Sequence, residues 1–284
     1  KKDNKFFVLK FYTRDYFKKD REQKFIELAQ DIITVPKIVD SGENFLIMDF
    51  KEGISGTDIF SKTNNKSVEI GKLIGQAAKA LHSKKIDTEY VGFLSNNDLL
   101  GEEYGVAKSN FKTNSKFLKS LIDEQISKLN DYDVDIPDFS DLEIDIAEDN
   151  EKYLIHHDLD AKNILLKEEK LSAILDFEYA MIGSHLFDIA KVHVLGIYLA
   201  YHTLGTAKYL DFVAYMDGFY TAYGKKITYK ELRPFFIYVL LNYTLFWLSN
   251  SLLKQVDKDK ILPLHLINLQ RLKDNKEIVV DKYL

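Results

Sequence analysis

His156-His157-Asp158-Leu159-Asp160-Ala161-Lys162-Asn163-Ile164-Leu165-Leu166, followed ten residues later by Asp176 in Ala173-Ile174-Leu175-Asp176-Phe177-Glu178-Tyr179-Ala180, is the stretch that decides how the chain reads. Phosphoryl transfer needs a carboxylate to accept the proton of an attacking hydroxyl. It also needs a side-chain oxygen and a second carboxylate to hold a divalent cation against nucleotide phosphates. An Asp with an Asn five residues on places both at the ends of one tight loop. A strand–turn–strand then returns a second Asp to the same edge, with Ile164–Leu166 and Ile174–Leu175 as the strands. Asn163 alone would read as a turn cap. The added Asp at an apolar strand end points to kinase chemistry.

The rest of the chain suits an enzyme of this kind. Its 284 residues are 46% hydrophobic and 29% charged, enough for a full core in one large domain or two lobes. With 13 Gly and 4 Pro, low-complexity and collagen-like chains are excluded. The absence of Cys removes disulfides, thiolate metal sites and cysteine nucleophiles. A net charge of −5 argues against a nucleic-acid partner held through phosphates and favours a neutral or cationic small molecule. The start, Lys1-Lys2-Asp3-Asn4-Lys5, has no apolar segment behind it. Phe235 to Leu253 is nearly long enough to span a bilayer but carries Asn242, Thr244 and Asn250, so it reads as a buried helix started by Pro234. A soluble, cytoplasmic chain without a membrane partner is expected, its oligomeric state left open.

The first fifty residues read β-α-β-β: a strand over 6–12, a helix over 20–30, and a hairpin of 37–40 and 44–50 turning at Ser41-Gly42-Glu43-Asn44. Beyond Gly53 and Gly56 helices take over, at 68–81 and 111–129. An acidic stretch without Lys or Arg covers 131–151, and strands follow at 153–156, 164–167 and 171–177. Helices then cover 186–203, 207–223, 229–253 and 260–273. The stretch 131–151 reads as a solvated surface loop, and the aromatics of 235–247 as core.

The segment 156–176 resembles the catalytic loop and metal-binding Asp of the protein-kinase-like superfamily, in its aminoglycoside phosphotransferase and choline kinase branch. That branch reads H-G-D-(x)₄-N and then I-D-(F/W). Gly183-Ser184-His185-Leu186-Phe187-Asp188-Ile189-Ala190 is similar to the branch's G-D-P-x-x-D-L-A. The resemblance implies an α+β, protein-kinase-like bilobal fold. A small antiparallel-sheet lobe over 1–50 binds nucleotide, and a large, mainly helical lobe over 51–284 carries the catalytic loop and the substrate site. It further implies Asp158 as the catalytic Asp, Asn163 and Asp176 as Mg²⁺ ligands, ATP or GTP as co-substrate, and His156 and Asp188 as supports of the loop. His157 departs from the pattern, standing where the branch has Gly and a free choice of φ. Asp160 departs as well, with a charge near the γ-phosphate.

By the same resemblance Lys10 is the strand lysine on the α- and β-phosphates, and Glu22, rather than Glu27, orients it. Met48, Asp49, Phe50 and Lys51 form the strand and hinge along the purine, and Leu165 and Leu175 floor its pocket. No Gly precedes Lys10. The glycine-rich phosphate loop and roughly twenty to forty residues, on the order of two strands and a turn, are therefore expected upstream of this chain. The acceptor is expected to be a hydroxyl on a small cationic molecule. An antibiotic of the aminoglycoside type comes first, with its link to antibiotic resistance. Choline or another metabolite is encouraged by Asp176-Phe177-Glu178-Tyr179, and a nucleotide-binding pseudokinase comes last.

Overall fold

The computed structural model describes residues 5–13, 16–58, 66–93, 111–168, 170–202, 211–251 and 255–279. Strand β1 (Phe7–Phe11) pairs antiparallel with β3 (Phe45–Asp49), which pairs antiparallel with β2 (Ile38–Ser41), giving the order β1-β3-β2. Helix α1 (Tyr16–Ala29) packs on this sheet. It starts four residues before the expected 20–30.

Below the sheet lie short strands and long helices. Strand β4 (Ile54–Ser55) pairs with β7 (Ile164–Lys167), which pairs with β8 (Lys170–Ile174). Strands β5 (Gly92–Phe93) and β6 (Tyr153–Ile155) flank β9 (Met181–Gly183). The helices are α2 (Ser67–Leu81), α3 (Asn114–Leu129), α4 (Leu186–His202), α5 (Phe212–Tyr223), α6 (Tyr229–Ser249) and α7 (Gln255–Lys273). Residues 203, 207–210 and 252–253 of the expected helices, and 94–110 before α3, lie outside the described residues. Among the described residues no helix is long and apolar enough to cross a membrane.

Two local features have clear causes. Helix α6 begins at Tyr229, as the expected span 229–253 has it, and not at Pro234. Thr228 caps it, its side chain taking the Glu231 N–H while Glu231 reaches back to the Thr228 N–H, a reciprocal capping box. Pro234 sits inside the helix. Strand β8 stops at Ile174, short of Phe177: the Leu175 N–H still meets the Asn163 carbonyl at 2.8 Å, in register with the Ile164–Ile174 pair, and Asp176 then adopts φ 67°. That left-handed backbone takes the chain out of the strand.

The helical body is closely packed. Helices α2 and α5 approach so tightly that a Cβ on Gly71 would lie 2.0 Å from the Tyr215 carbonyl oxygen, and one on Gly218 2.1 Å from that of Val68. Phe235, Phe236, Ile237 and Leu241 of α6 are fully enclosed, as expected of a core helix. The acidic stretch wraps the body. Phe139 and Ile146 anchor it, while Asp141 meets Lys273 at 2.5 Å and Glu148 meets Lys225 at 3.2 Å. One join between sheet and body fixes the site: Phe25 of α1 stacks on Phe177, centroids 4.3 Å apart.

Candidate active site

The turn after β6 carries Asp158, and three contacts hold it. The carboxylate of Asp188, fully buried in the first turn of α4, accepts the backbone N–H of His157 at 2.7 Å and of His156 at 3.0 Å. His82 Nε2 sits 3.1 Å from the same carboxylate. Burial pushes the Asp188 pKa up, but the His82 hydrogen bond and charge and the loop N–H groups more than offset that and hold it below the usual carboxylate range. The His156 ring ties two segments together: Nδ1 accepts the Asp158 N–H at 3.2 Å, so Nε2 carries the proton donated to the Leu175 carbonyl at 3.0 Å.

His157, where a glycine was expected, adopts φ 59°. The left-handed turn is kept with a side chain present, and the ring explains how. It lies stacked on Tyr238 (5.7 Å, 13°), with Phe93 and Phe187 edge-on. Burial, aided by Lys191 and Arg21, drives its pKa far below the ordinary imidazole value, so it is neutral.

Asn163 closes the turn. Its Nδ2 donates to the Asp158 carbonyl at 2.8 Å and to Asp158 Oδ2 at 3.1 Å, which leaves Oδ1 as its acceptor end. Lys162 Nζ lies 3.0 Å from the same Asp158 Oδ2. Asp160 caps the 3₁₀ turn Ala161–Asn163 through the Ala161 N–H, and burial raises its pKa to about 6.

From the sheet side, Lys10 Nζ reaches Glu22 at 2.6 Å and Asp176 at 2.7 Å. Burial lowers the Lys10 pKa, but the two carboxylates outweigh it and the net shift is upward. Burial likewise acts upward on Asp176, and Lys10 reverses it to a net lowering. For Glu22 burial prevails over Lys10 and the pKa is raised. Glu27, the rival, sits on the exposed face of α1 and takes Gln23 at 3.1 Å.

A cleft of about 470 Å³ runs between sheet and body, lined by Lys10, Glu22, Met48, Asp49, Phe50, Lys51, Leu165, Leu175 and Asp176, together with Val8, Pro36 and Gly53. Its size and its mostly apolar walls with a charged end suit a nucleotide. Asp158 and Asn163 are not among its lining; they lie beyond the charged end, tied to it through the Asn163–Leu175 and His156–Leu175 contacts.

The oxygen donors of Asn163 and Asp176 fit a hard cation such as Mg²⁺, which takes one or two side-chain oxygens and completes its shell with phosphate and water. No cluster of three or more His, Cys, Asp and Glu suited to a metal occurs among the described residues.

Sequence reasoning missed three neighbours. Tyr12 donates its hydroxyl to Glu22 at 2.5 Å; its place two residues after Lys10, on the same strand face, was the available signal. Glu178 comes within 3.8 Å of Lys10. Lys162 reaches back along a turn that spacing alone does not resolve.

Comparison with known proteins places the family and the fold. A model of the phosphotransferase enzyme family matches residues 1–235. The fold is similar to that of aminoglycoside phosphotransferase APH(4)-Ia, at 14% identity, 96% of this chain, 88% of the other and a TM-score of 0.63. It is also similar to macrolide 2′-phosphotransferase MphH from Brachybacterium faecium, at 15% identity, 93% of this chain, 86% of the other and a TM-score of 0.56. A third likeness is to APH(2″)-IIa in its streptomycin–ATP ternary complex, at 17% identity, 86% and 79% coverage and a TM-score of 0.54. No curated protein matches the sequence.

Proposed function

The chain belongs to the phosphotransferase enzyme family and has the bilobal kinase-like fold of a small-molecule kinase, and on that premise we propose that it transfers the γ-phosphoryl of ATP or GTP to a hydroxyl of a small, cationic acceptor of the aminoglycoside type. The observation that carries the reading is the convergence of two groups at one end of the cleft. Lys10 is held between Glu22 and Asp176, and Asp158 is held by Asn163.

The roles follow from this placement. Residues 1–50 and 51–284 act as the nucleotide lobe and the catalytic lobe. Met48, Leu165 and Leu175 sandwich the purine, and the backbone of Asp49 and Lys51 hydrogen-bonds its edge alongside Phe50. Lys10, oriented by Glu22, neutralises the α- and β-phosphates. Asn163 and Asp176 hold Mg²⁺, which supplies charge neutralisation of the phosphates. Asp158 accepts the acceptor's hydroxyl proton as the oxygen attacks phosphorus. His156 and Asp188 keep the Asp158 turn in place.

The aminoglycoside-type acceptor rests on the resemblance in segment 156–190, on the net charge of −5, and on neighbours described as complexes with hygromycin B and streptomycin. A quaternary ammonium such as choline would need an open aromatic face, but Lys18 occupies Tyr179 at 4.8 Å and Lys191 occupies Tyr243 at 4.8 Å. The test is transfer of labelled γ-phosphate from ATP and GTP, with Mg²⁺, to a panel of aminoglycosides, a macrolide, choline, ethanolamine and sugars. Thermal shifts of the same mixtures report binding. Metal-dependent labelling of an aminoglycoside is expected; folded protein that binds neither nucleotide in the presence of Mg²⁺ would overturn the proposal.

A further inference from the structure

The 3₁₀ turn over Ala161–Asn163 sends its three side chains to different places. Ala161 is buried in the core and Asn163 in the site, while the Lys162 side chain keeps 52% of its surface in water. A lysine so exposed has every opportunity to point into solvent. Its ammonium instead turns back four residues and rests 3.0 Å from Asp158 Oδ2, the oxygen that also takes Asn163 Nδ2. Two further carboxylates, Asp160 and Asp176, act on the same ammonium. Lys162 therefore stands among the carboxylate assigned as base, that of its neighbour Asp160 and that assigned to the metal. A phosphoryl group moving from nucleotide to acceptor must pass within reach of the first and the last.

We infer that Lys162 is a further catalytic residue, whose ammonium shifts from Asp158 Oδ2 to an oxygen of the phosphoryl group in flight. The inference rests on the reading of Asp158 as the base. The acceptor oxygen forms its bond to the γ-phosphorus as the bond from that phosphorus to the β–γ bridging oxygen breaks. The freed pair stays on ADP, and the hydroxyl proton passes to Asp158. The ammonium starts 3.0 Å from the carboxylate assigned as base, so the group in flight passes within the sweep of its side chain. The lysine is a compact charge on a four-carbon stem, so it can swing between two anions without moving the backbone. Because about half of the side chain, 52% of its surface, faces water, its replacement is expected to leave the fold intact.

Release of γ-phosphate from Mg·ATP without any acceptor tests this, since water then takes the hydroxyl's place. Lys162→Met is expected to lower kcat about 100- to 1,000-fold, the range for removing one donor to transition-state charge, with ATP affinity unchanged and much of the rate recovered in Lys162→Arg. Full turnover in Lys162→Met, or a loss of ATP affinity equal to the loss of rate, would overturn the assignment. Asp158→Asn separates the two layers. If it keeps turnover, the base reading fails; if it is inert while Lys162→Met is fully active, only the role of Lys162 fails. Affinity for Mg·ADP with and without aluminium fluoride, a mimic of the phosphoryl in flight, decides the matter even where hydrolysis is slow. Aluminium fluoride should tighten binding to the wild type and not to Lys162→Met. Equal tightening in both, or none in the wild type, would also overturn it.

Discussion

Replacing Asp188 by Asn changes one oxygen into an amide nitrogen at the centre of the loop's support. The fully buried carboxylate accepts from the His157 N–H at 2.7 Å on Oδ1, and on Oδ2 from the His156 N–H at 3.0 Å and His82 at 3.1 Å. An amide can present its oxygen to only one of these sides. In the better orientation the His157 N–H faces an NH₂ group and stays buried without a partner, at a cost of roughly 1–3 kcal/mol. The other two bonds lose their charge assistance, about 1 kcal/mol each. The expected loss is about 3–5 kcal/mol, the range for breaking a buried charged network. Equilibrium urea unfolding at neutral pH measures it as a lower midpoint at unchanged m-value. A loss below about 1 kcal/mol would refute the argument that Asp188 carries the loop. Because the Asp188 pKa lies below its unfolded value, this contribution is present above about pH 4 and fades as the pH falls through the depressed folded value.

Gly71→Ala sets a methyl 2.0 Å from the Tyr215 carbonyl, so α2 and α5 must separate; thermal unfolding should show a loss of about 1–3 kcal/mol or more. Burial pushes the imidazoles of His193 and His265 to about 3, and burial with His82 and Lys225 does the same to His185. The unfolded chain protonates them from about pH 6.5, so stability is complete above that pH and declines below it, by about 1.4 kcal/mol per group one unit lower. Urea midpoints at pH 7.5 and 5.5 check this, and equal midpoints would contradict it. Thr228→Ala should cost α6 about 1 kcal/mol by removing its capping box, read from the same urea curves.

What could be read from the sequence was what depends on short spacing. Asp158 and Asn163 share one turn, Lys10 and Glu22 share a strand–helix unit, and hydrophobic periodicity located the long described helices, with the starts of α1 and α7 placed four and five residues late. What could not be read depends on long-range contact or on backbone. The exit of β8 follows from the left-handed backbone of Asp176. His157 takes a glycine-like φ where Asp188 holds its N–H and Tyr238, some eighty residues away, stacks on its ring. The start of α6 at 229 was legible, and Thr228 and Glu231 spell the capping box that fixes it, with Pro234 falling inside the helix. The lysines on Tyr179 and Tyr243 come from other elements, so the occupied aromatic faces have no mark in the local pattern.

The central claim is that Asp158 serves the chemical step and Asp176 serves the metal-bound nucleotide. Mg·ATP affinity measured by calorimetry beside γ-phosphate release, for wild type, Asp158→Ala and Asp176→Ala, tests it most directly. The account predicts that Asp158→Ala loses several orders of magnitude in kcat, beyond the 10²–10⁴ typical of a general base because the loop's charge goes with it, yet binds Mg·ATP nearly as the wild type does. It predicts that Asp176→Ala weakens Mg·ATP binding as well. Equal losses of nucleotide affinity in the two variants, or turnover by Asp158→Ala close to that of the wild type, would contradict it.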